Sequence, residues 1–346
     1  PVSAGKYVYF AQNRNDKTAI TEYFADDDTL TNDGLDITIG VNTLIPNNAY
    51  KIVSNNIEDT MVVLCHDTLD VTNTAPYTAS SDITATNANT MFVYKYFWDA
   101  DKKVQSAWSK FTFNNMQIIS AEAYDSFIYI LANEKRNLKL LKIDLRNPNF
   151  NSLNFPINID MQTAILSGSY NSTTNKTTFT IPYEHNQTLL AIDATNGADL
   201  TIDSQSGTTV VVQGNHTSCI FGSVFESLYE FSKPYVREQG ATGAVAITSG
   251  RYQIRTLNVD FQDSGFFKAT VLPEGRSLTS YEMTGNVINS ASSVVGVPNI
   301  ASGTFTIPIQ SKNTGFVCKL ISSSHLPCHF ISAEIEGFYH RRNRRM

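Results

Sequence analysis

The chain has 346 residues, of which 42% are hydrophobic and only 17% charged, with 20 Phe, 16 Tyr and a formal net charge of −6. That length supports one large architecture or two packed domains with a real core, and so many aromatics with so little charge exclude an intrinsically disordered chain. The negative balance offers no overall basic field for nucleic acid, no stretch approaches the roughly 18 apolar residues of a membrane-spanning helix, and no signal peptide is visible, so a soluble protein is expected.

Charge is replaced by Asn, Thr and Ser, which suits pleated strands joined by Asn/Gly turns. Almost nothing has helical period, so the expected fold class is all-β. Residues 7–24 read as a hairpin, Tyr7 to Phe10 and Ile20 to Phe24 around a polar turn at Asn13–Lys17. Strands follow at Tyr50–Val53 and Thr60–Cys65. The strongest hairpin runs from Met91 to Phe113, with Phe92, Tyr94, Tyr96 and Trp98 on one face and a turn at Asp99–Lys102. A related unit covers 117–145: Gln117–Ala123, Phe127–Leu131, a turn at Asn133–Asn137, then Leu138–Leu145.

Residues 50–113 and 117–145 share one plan, in which an acidic turn (Glu58-Asp59; Tyr124-Asp125) opens the second strand and a polar hairpin follows. The first copy carries a Thr/Asn/Ala/Ser-rich insertion near 70–90. Repeats of four strands are the signature of β-propeller blades, with a plain β-sandwich as the alternative. The Asn/Pro-rich stretch 146–160 is the candidate boundary, giving propeller blades over 1–150 and an antiparallel β-sandwich-like domain over 151–346. In the second domain Arg251–Phe261 turns into Phe266–Val271, and Thr304–Ile309 turns into Phe316–Ile321. Phe330–Phe338 closes the chain with Ile331, Ala333 and Ile335 facing one way. The Gly/Ser/Asn-rich 275–302 reads as a long exposed excursion suited to an interface.

The search for chemistry ends without a site. Asp26-Asp27-Asp28 with Asn32-Asp33-Gly34 lacks EF-hand spacing and its terminal Glu, so it reads as a solvated acidic turn. His325, Cys328 and His329 with Cys318, and His216 with Cys219, read as packed turns rather than metal sites, because zinc needs four converging ligands. The sparse cysteines Cys65, Cys219, Cys318 and Cys328 read as buried free thiols. No nucleophile elbow, zincin or phosphate-loop motif is present, and Glu334 with Glu336 reads as a surface pair. No catalytic residue, cofactor or metal is therefore expected. The aromatic stripe on 92–98 reads as core, with a sugar- or base-stacking platform as the alternative. The terminal Arg341, Arg342, Arg344 and Arg345 form either a solvated tail or a contact to a partner protein or DNA phosphate.

Several stretches carry a resemblance. Gly5 to Phe24, Met91 to Phe113 with its Val104-Gln105-Ser106-Ala107-Trp108-Ser109 core, Tyr229 to Glu238, Gly250 to Val271 and Ser323 to Arg345 together resemble, in order and spacing, the tail tubular protein B (tail nozzle) family of short-tailed bacteriophages. The resemblance implies a non-enzymatic virion protein with a β-propeller core and additional β domains. It implies a homohexameric ring around the DNA ejection channel, below the adaptor (gatekeeper) ring, with tail fibres at the junction, DNA in transit without sequence specificity, and contact with the host envelope. A low-charge, acidic lumen suits DNA that must slide without sticking. Family members are longer than this chain, so a truncated or processed chain is expected, with any missing blades supplied from outside it; loss of an initiator Met before Pro1 is the alternative. The competing function is a carbohydrate-binding or carbohydrate-cleaving β-propeller.

Overall fold

The computed structural model describes residues 1–346 apart from 5–6, 15–16, 27–30, 42, 47–48, 66–88, 100–101, 115, 135–136, 147–152, 186, 241–242, 286–295 and 342–346. The described residues are all-β, in small antiparallel sheets with one short 3-10 turn at Ile39–Val41. Among them no helix is long and apolar enough to cross a membrane. The chain divides into two compact units, Pro1–Pro148 and Asn149–Met346.

The first unit is a series of meanders. β1 (Val2–Ala4), β2 (Tyr7–Arg14), β3 (Lys17–Asp26) and β4 (Thr31–Asp36) form the first sheet in that order. β5 (Ala49–Asn55), β6 (Thr60–Cys65), β7 (Thr90–Asp99) and β8 (Lys102–Thr112) form the second. β9 (Gln117–Tyr124), β10 (Phe127–Glu134) and β11 (Asn137–Asp144) form the third. The leading strands are neighbours, β1 beside β5 and β5 beside β9.

The first two sheets bury one core: Ala4, Tyr9 and Ile20 meet Met61, Val63, Cys65, Phe92, Tyr94 and Tyr96. Every residue of β6 is buried, so the second sheet is covered on both faces at this strand, whereas its edge strand β8 is largely exposed. That double burial explains the unbroken apolar run of β6, where alternation would mark a half-exposed strand. Asp59 and Asp125, in the turns after β5 and β9, both have left-handed backbone (φ 46° and 52°). The Asn55 side-chain amide ties the two turns together, donating to the carbonyl oxygen of Asp125 at 2.7 Å.

In the second unit the strands β12 (Leu166–Ser167), β13 (Ser169–Asn171), β14 (Lys176–Thr180), β15 (Leu189–Asp193), β16 (Asp199–Leu200), β17 (Ile202–Ser206), β18 (Thr209–Gln213) and β19 (Ser218–Ser223) come first. They form a fourth sheet, β12-β19-β15-β16, and a fifth, β13-β14-β18-β17, around Phe179, Val210, Val212, Ala191 and Phe221. Next come β20 (Ser227–Glu230), β21 (Arg237–Gly240), β22 (Gly243–Ala246), β23 (Arg251–Ser264), β24 (Phe266–Pro273), β25 (Thr279–Thr284), β26 (Ala301–Lys312), β27 (Phe316–Ser322) and β28 (His329–His340). The sixth sheet, β20-β27-β24-β25, and the seventh, β26-β23-β28, enclose Leu257, Val259, Phe267, Val271, Ile307, Ile309 and Leu320.

Three expectations need correction. Residues 2–36, of which only 7–24 read as a hairpin, form a full four-stranded meander, whereas 117–145 holds the three strands named from sequence. The expected turns after Phe261 and Ile309 join strands of facing sheets. β23 and β26 lie in the seventh sheet and β24 and β27 in the sixth, so each turn carries the chain across the sandwich. The stretch 275–302 is not one excursion, because β25 pairs with β24 and buries Met283. Finally, β28 has a bulge: Phe261 pairs with Phe330 and Asp260 with Ser332, leaving Ile331 unpaired and 64% exposed. The extra residue turns Phe330 inward, onto the ring of Phe267, in the place expected for Ile331. The insertion near 70–90 and the acidic residues Asp27 and Asp28 lie outside the described residues.

Candidate interaction surfaces

The clusters of titratable side chains serve packing. Between the first and second sheets, Glu22 is buried, accepts a 2.6 Å hydrogen bond from the Tyr9 hydroxyl and pairs with Lys103. Burial, the Glu22 hydrogen bond and the Glu22 charge all push the Tyr9 phenol up. In the second unit His216 Nδ1 lies 2.9 Å from Asp193 Oδ2. Burial alone would raise the Asp193 carboxyl, but hydrogen bonds from the Thr195 hydroxyl and N–H, with His216, bring it below the usual range. His185 Nδ1 lies 3.1 Å from Ser223 Oγ, and Ser223 is fully buried, so that hydroxyl cannot meet a substrate. Burial pushes the nearby Asp160 carboxyl up to about 6.

The four thiols are free, and burial pushes each to about 12. Thiols so protonated are poor nucleophiles and poor ligands. Among the described residues no group of three or more His, Cys, Asp or Glu is placed to hold a metal ion. His325 is held instead by the Gly197 carbonyl at 2.9 Å, and burial lowers its pKa. Phe92, Tyr94 and Tyr96 of the aromatic stripe are buried and Trp98 stacks on Tyr7 at 4.7 Å, so the stripe is core and offers no sugar platform.

Three surfaces remain. The outer face of the third sheet carries an exposed apolar patch, Leu138 (67%) and Leu140 (72%) beside Leu131, bordered by polar side chains, with Lys142 over the Phe127 ring at 3.5 Å. The outer face of the seventh sheet is polar. Asp260 accepts hydrogen bonds from Thr304 and Ser332, both 2.6 Å, which hold its carboxyl below the usual range. Thr306 donates to Asn258 and Thr256 to Glu336 on the same face, where Glu334 sits opposite Asn258. The expected Glu334/Glu336 pair therefore shares a face, within a ladder of hydroxyls and amides.

The third surface is the arm formed by β21 and β22. Among the described residues its strands pair only with each other, and all of Arg237–Gly240 is exposed. Its base is fixed by Asn313, whose side-chain amide donates to the Pro234 carbonyl at 2.8 Å. Sequence reading passed over this arm; the two glycines at its tip, Gly240 and Gly243, were the available signal. Of the terminal arginines, Arg341 is exposed immediately after β28, and Arg342, Arg344 and Arg345 lie outside the described residues.

Comparison with known proteins identifies what these surfaces belong to. The family model described as "Bacteriophage nozzle protein" matches residues 1–346. The chain is 24% identical over 369 residues to tail tubular protein gp12 of Escherichia phage T7, covering 99% of this chain and 43% of that protein's length. Two structures of an exo-β-1,3-galactanase from Phanerochaete chrysosporium, one with galactose and one of a variant with β-1,3-galactotriose, cover 95% and 97% of this chain and 92% and 94% of theirs. Their identities are 11% and 12% and their TM-scores 0.23 and 0.24, too low to carry any argument about fold or activity.

Proposed function

The chain belongs to the bacteriophage nozzle protein family, which places it among the structural components of the phage tail, and we infer that its copies form a closed ring around the path of the ejected genome. The match over the whole chain carries this reading. Because the chain spans 43% of the length of the T7 relative, ring, channel and partners are inferred for the protein to which this sequence belongs.

The serial meanders of the first unit support a propeller. Each sheet leads with the strand nearest its neighbour, and β6 of the second sheet is covered on both faces, as in blades around an axis. On this reading the exposed leucines of the third sheet await a further blade. The family's place in a short tail suggests an adaptor ring above, tail fibres at the junction, contact with the host envelope, and DNA passing without sequence readout. A structural rather than enzymatic role is favoured because the buried His, Asp and Ser side chains are engaged in packing.

Imaging of purified tails carrying a labelled version of this chain tests the ring. The expected result is a closed ring of labels, best with six copies, on the tail axis at its distal end. A single copy per tail, or label confined to the capsid, would overturn the reading.

A further inference from the structure

We propose that the Val236–Ile247 arm of one copy docks along the free edge of β28 in the next, extending the seventh sheet from three strands to five. This rests on the ring reading above and names the surfaces that close it.

Two incomplete elements of the second unit motivate the pairing. The arm is a two-stranded ribbon, Arg237 opposite Ala246, Glu238 opposite Val245 and Gln239 opposite Ala244, lengthened by an Ile247 N–H to Val236 carbonyl bond of 2.8 Å. Such a ribbon alone is marginal in water. Here Val245 is 57% exposed and, among the described residues, the arm pairs with no other strand. Meanwhile, among the described residues, β28 pairs with β23 on one side only, so its outer edge presents unpaired N–H and C=O groups along 12 residues. It contains no proline, while the opposite edge strand, β26, carries Pro308. Phe338 and Ile331 of β28 are strongly exposed.

The faces match. In an antiparallel ribbon, directly opposed residues share a face, so Arg237 and Gln239 point one way and Glu238 and Val245 the other. On β28, Glu334 and Glu336 point to the polar outer face, and Ala333 and Ile335 point toward the core side. Docking through β22, with Arg237 on the outer face, lays Val245 beside Ala333 and Ile335 and aims the long Arg237 side chain, across Ala246, toward Glu334 and Glu336. Pairing of β28 with another β28 would instead bring like carboxylates together. Arm and edge are different surfaces of one chain, so the contact is head-to-tail, the type that generates rings when the rotation closes.

The test uses phage carrying Val245→Cys and Ala333→Cys together, with assembled tails treated with a short bismaleimide. Linked subunits up to a closed ring are expected on a denaturing gel, with monomers from either single variant. Monomers alone from intact rings, or a link within one chain, would overturn the arm contact while leaving the ring in place; one copy per tail would overturn both. A second variant, with 237–246 replaced by Gly-Gly, is expected to keep its thermal transition but enter tails about tenfold or more less efficiently. Undiminished entry would also overturn the proposal.

Discussion

The Lys103 ammonium and the Glu22 carboxylate form an ion pair between the first two sheets, inside a cage of aromatic rings. The ammonium lies 5.1 Å from the Trp98 ring centroid and 5.5 Å from that of Tyr94, with Tyr7, Tyr9 and Tyr96 also within 6 Å. The cage recovers part of the desolvation cost that such a pair pays.

Removing one partner should therefore cost more than removing both. Lys103→Met is expected to destabilise by about 3–5 kcal/mol by leaving a buried carboxylate, and Lys103→Met with Glu22→Gln to recover most of that. Urea unfolding of the three proteins measures it; additive losses would show that the two side chains act independently.

The aromatic face of β7 gives a second expectation. Phe92→Ala should cost about 3–5 kcal/mol, as for a buried aromatic ring. Trp108 donates from Nε1 to the Ile37 carbonyl at 3.0 Å and packs with Trp98 on the same core. Acrylamide should quench both tryptophans far less than free tryptophan, and equal quenching would contradict their placement.

Asp160 predicts a pH dependence. Its folded pKa is raised to about 6 by burial, so between its ordinary value and pH 6 the folded state binds more protons than the unfolded. The associated stability is fully present below about pH 4 and lost as pH rises through 6, at most about 3 kcal/mol by linkage. Asp160→Asn should abolish this loss, melting above wild type at pH 7 relative to their difference at pH 4. Parallel melting curves across that range would contradict it.

The outer face of the third sheet separates folding from assembly. Leu138→Lys with Leu140→Lys should change stability of the isolated chain by only about 0.5 kcal/mol per site, because both are exposed. Incorporation into tails should fall sharply if a further blade covers that face. Normal incorporation, measured by immunoblot of purified virions, would show the face is solvent-exposed in the tail.

The terminal arginines give a last expectation. Replacing Arg341, Arg342, Arg344 and Arg345 by Gln should leave the melting transition unchanged, since all lie past β28. Tail assembly should weaken, more so at high salt. Wild-type assembly and infectivity would mark the cluster as a solvated end.

The strands were legible wherever period-2 alternation met turn chemistry, as in Met91–Phe113, whose register runs from Thr90 opposite Thr112 to Asp99 opposite Lys102. The turn after Phe261 was legible too, but Gln262-Asp263-Ser264-Gly265 reads the same whether the next strand pairs beside β23 or crosses to the facing sheet. The β28 bulge was hidden because one extra residue leaves no mark on composition, only on which side Phe330 and Ile331 point. The interaction surfaces were least legible. Leu138 and Leu140 read like any strand leucines, and the arm at 237–246 carries too few apolar residues to announce itself.

By itself the sequence determined an all-β chain of short strands and the family it belongs to, because alternation, turn residues and the order of its motifs are local properties. Tertiary structure alone decided that β6 is covered on both faces, that Glu22 and Lys103 meet, and that, among the described residues, the arm joins no larger sheet and β28 keeps one free edge. Each depends on which strands lie face to face or edge to edge, and that is set by the packing of side chains far apart in the chain.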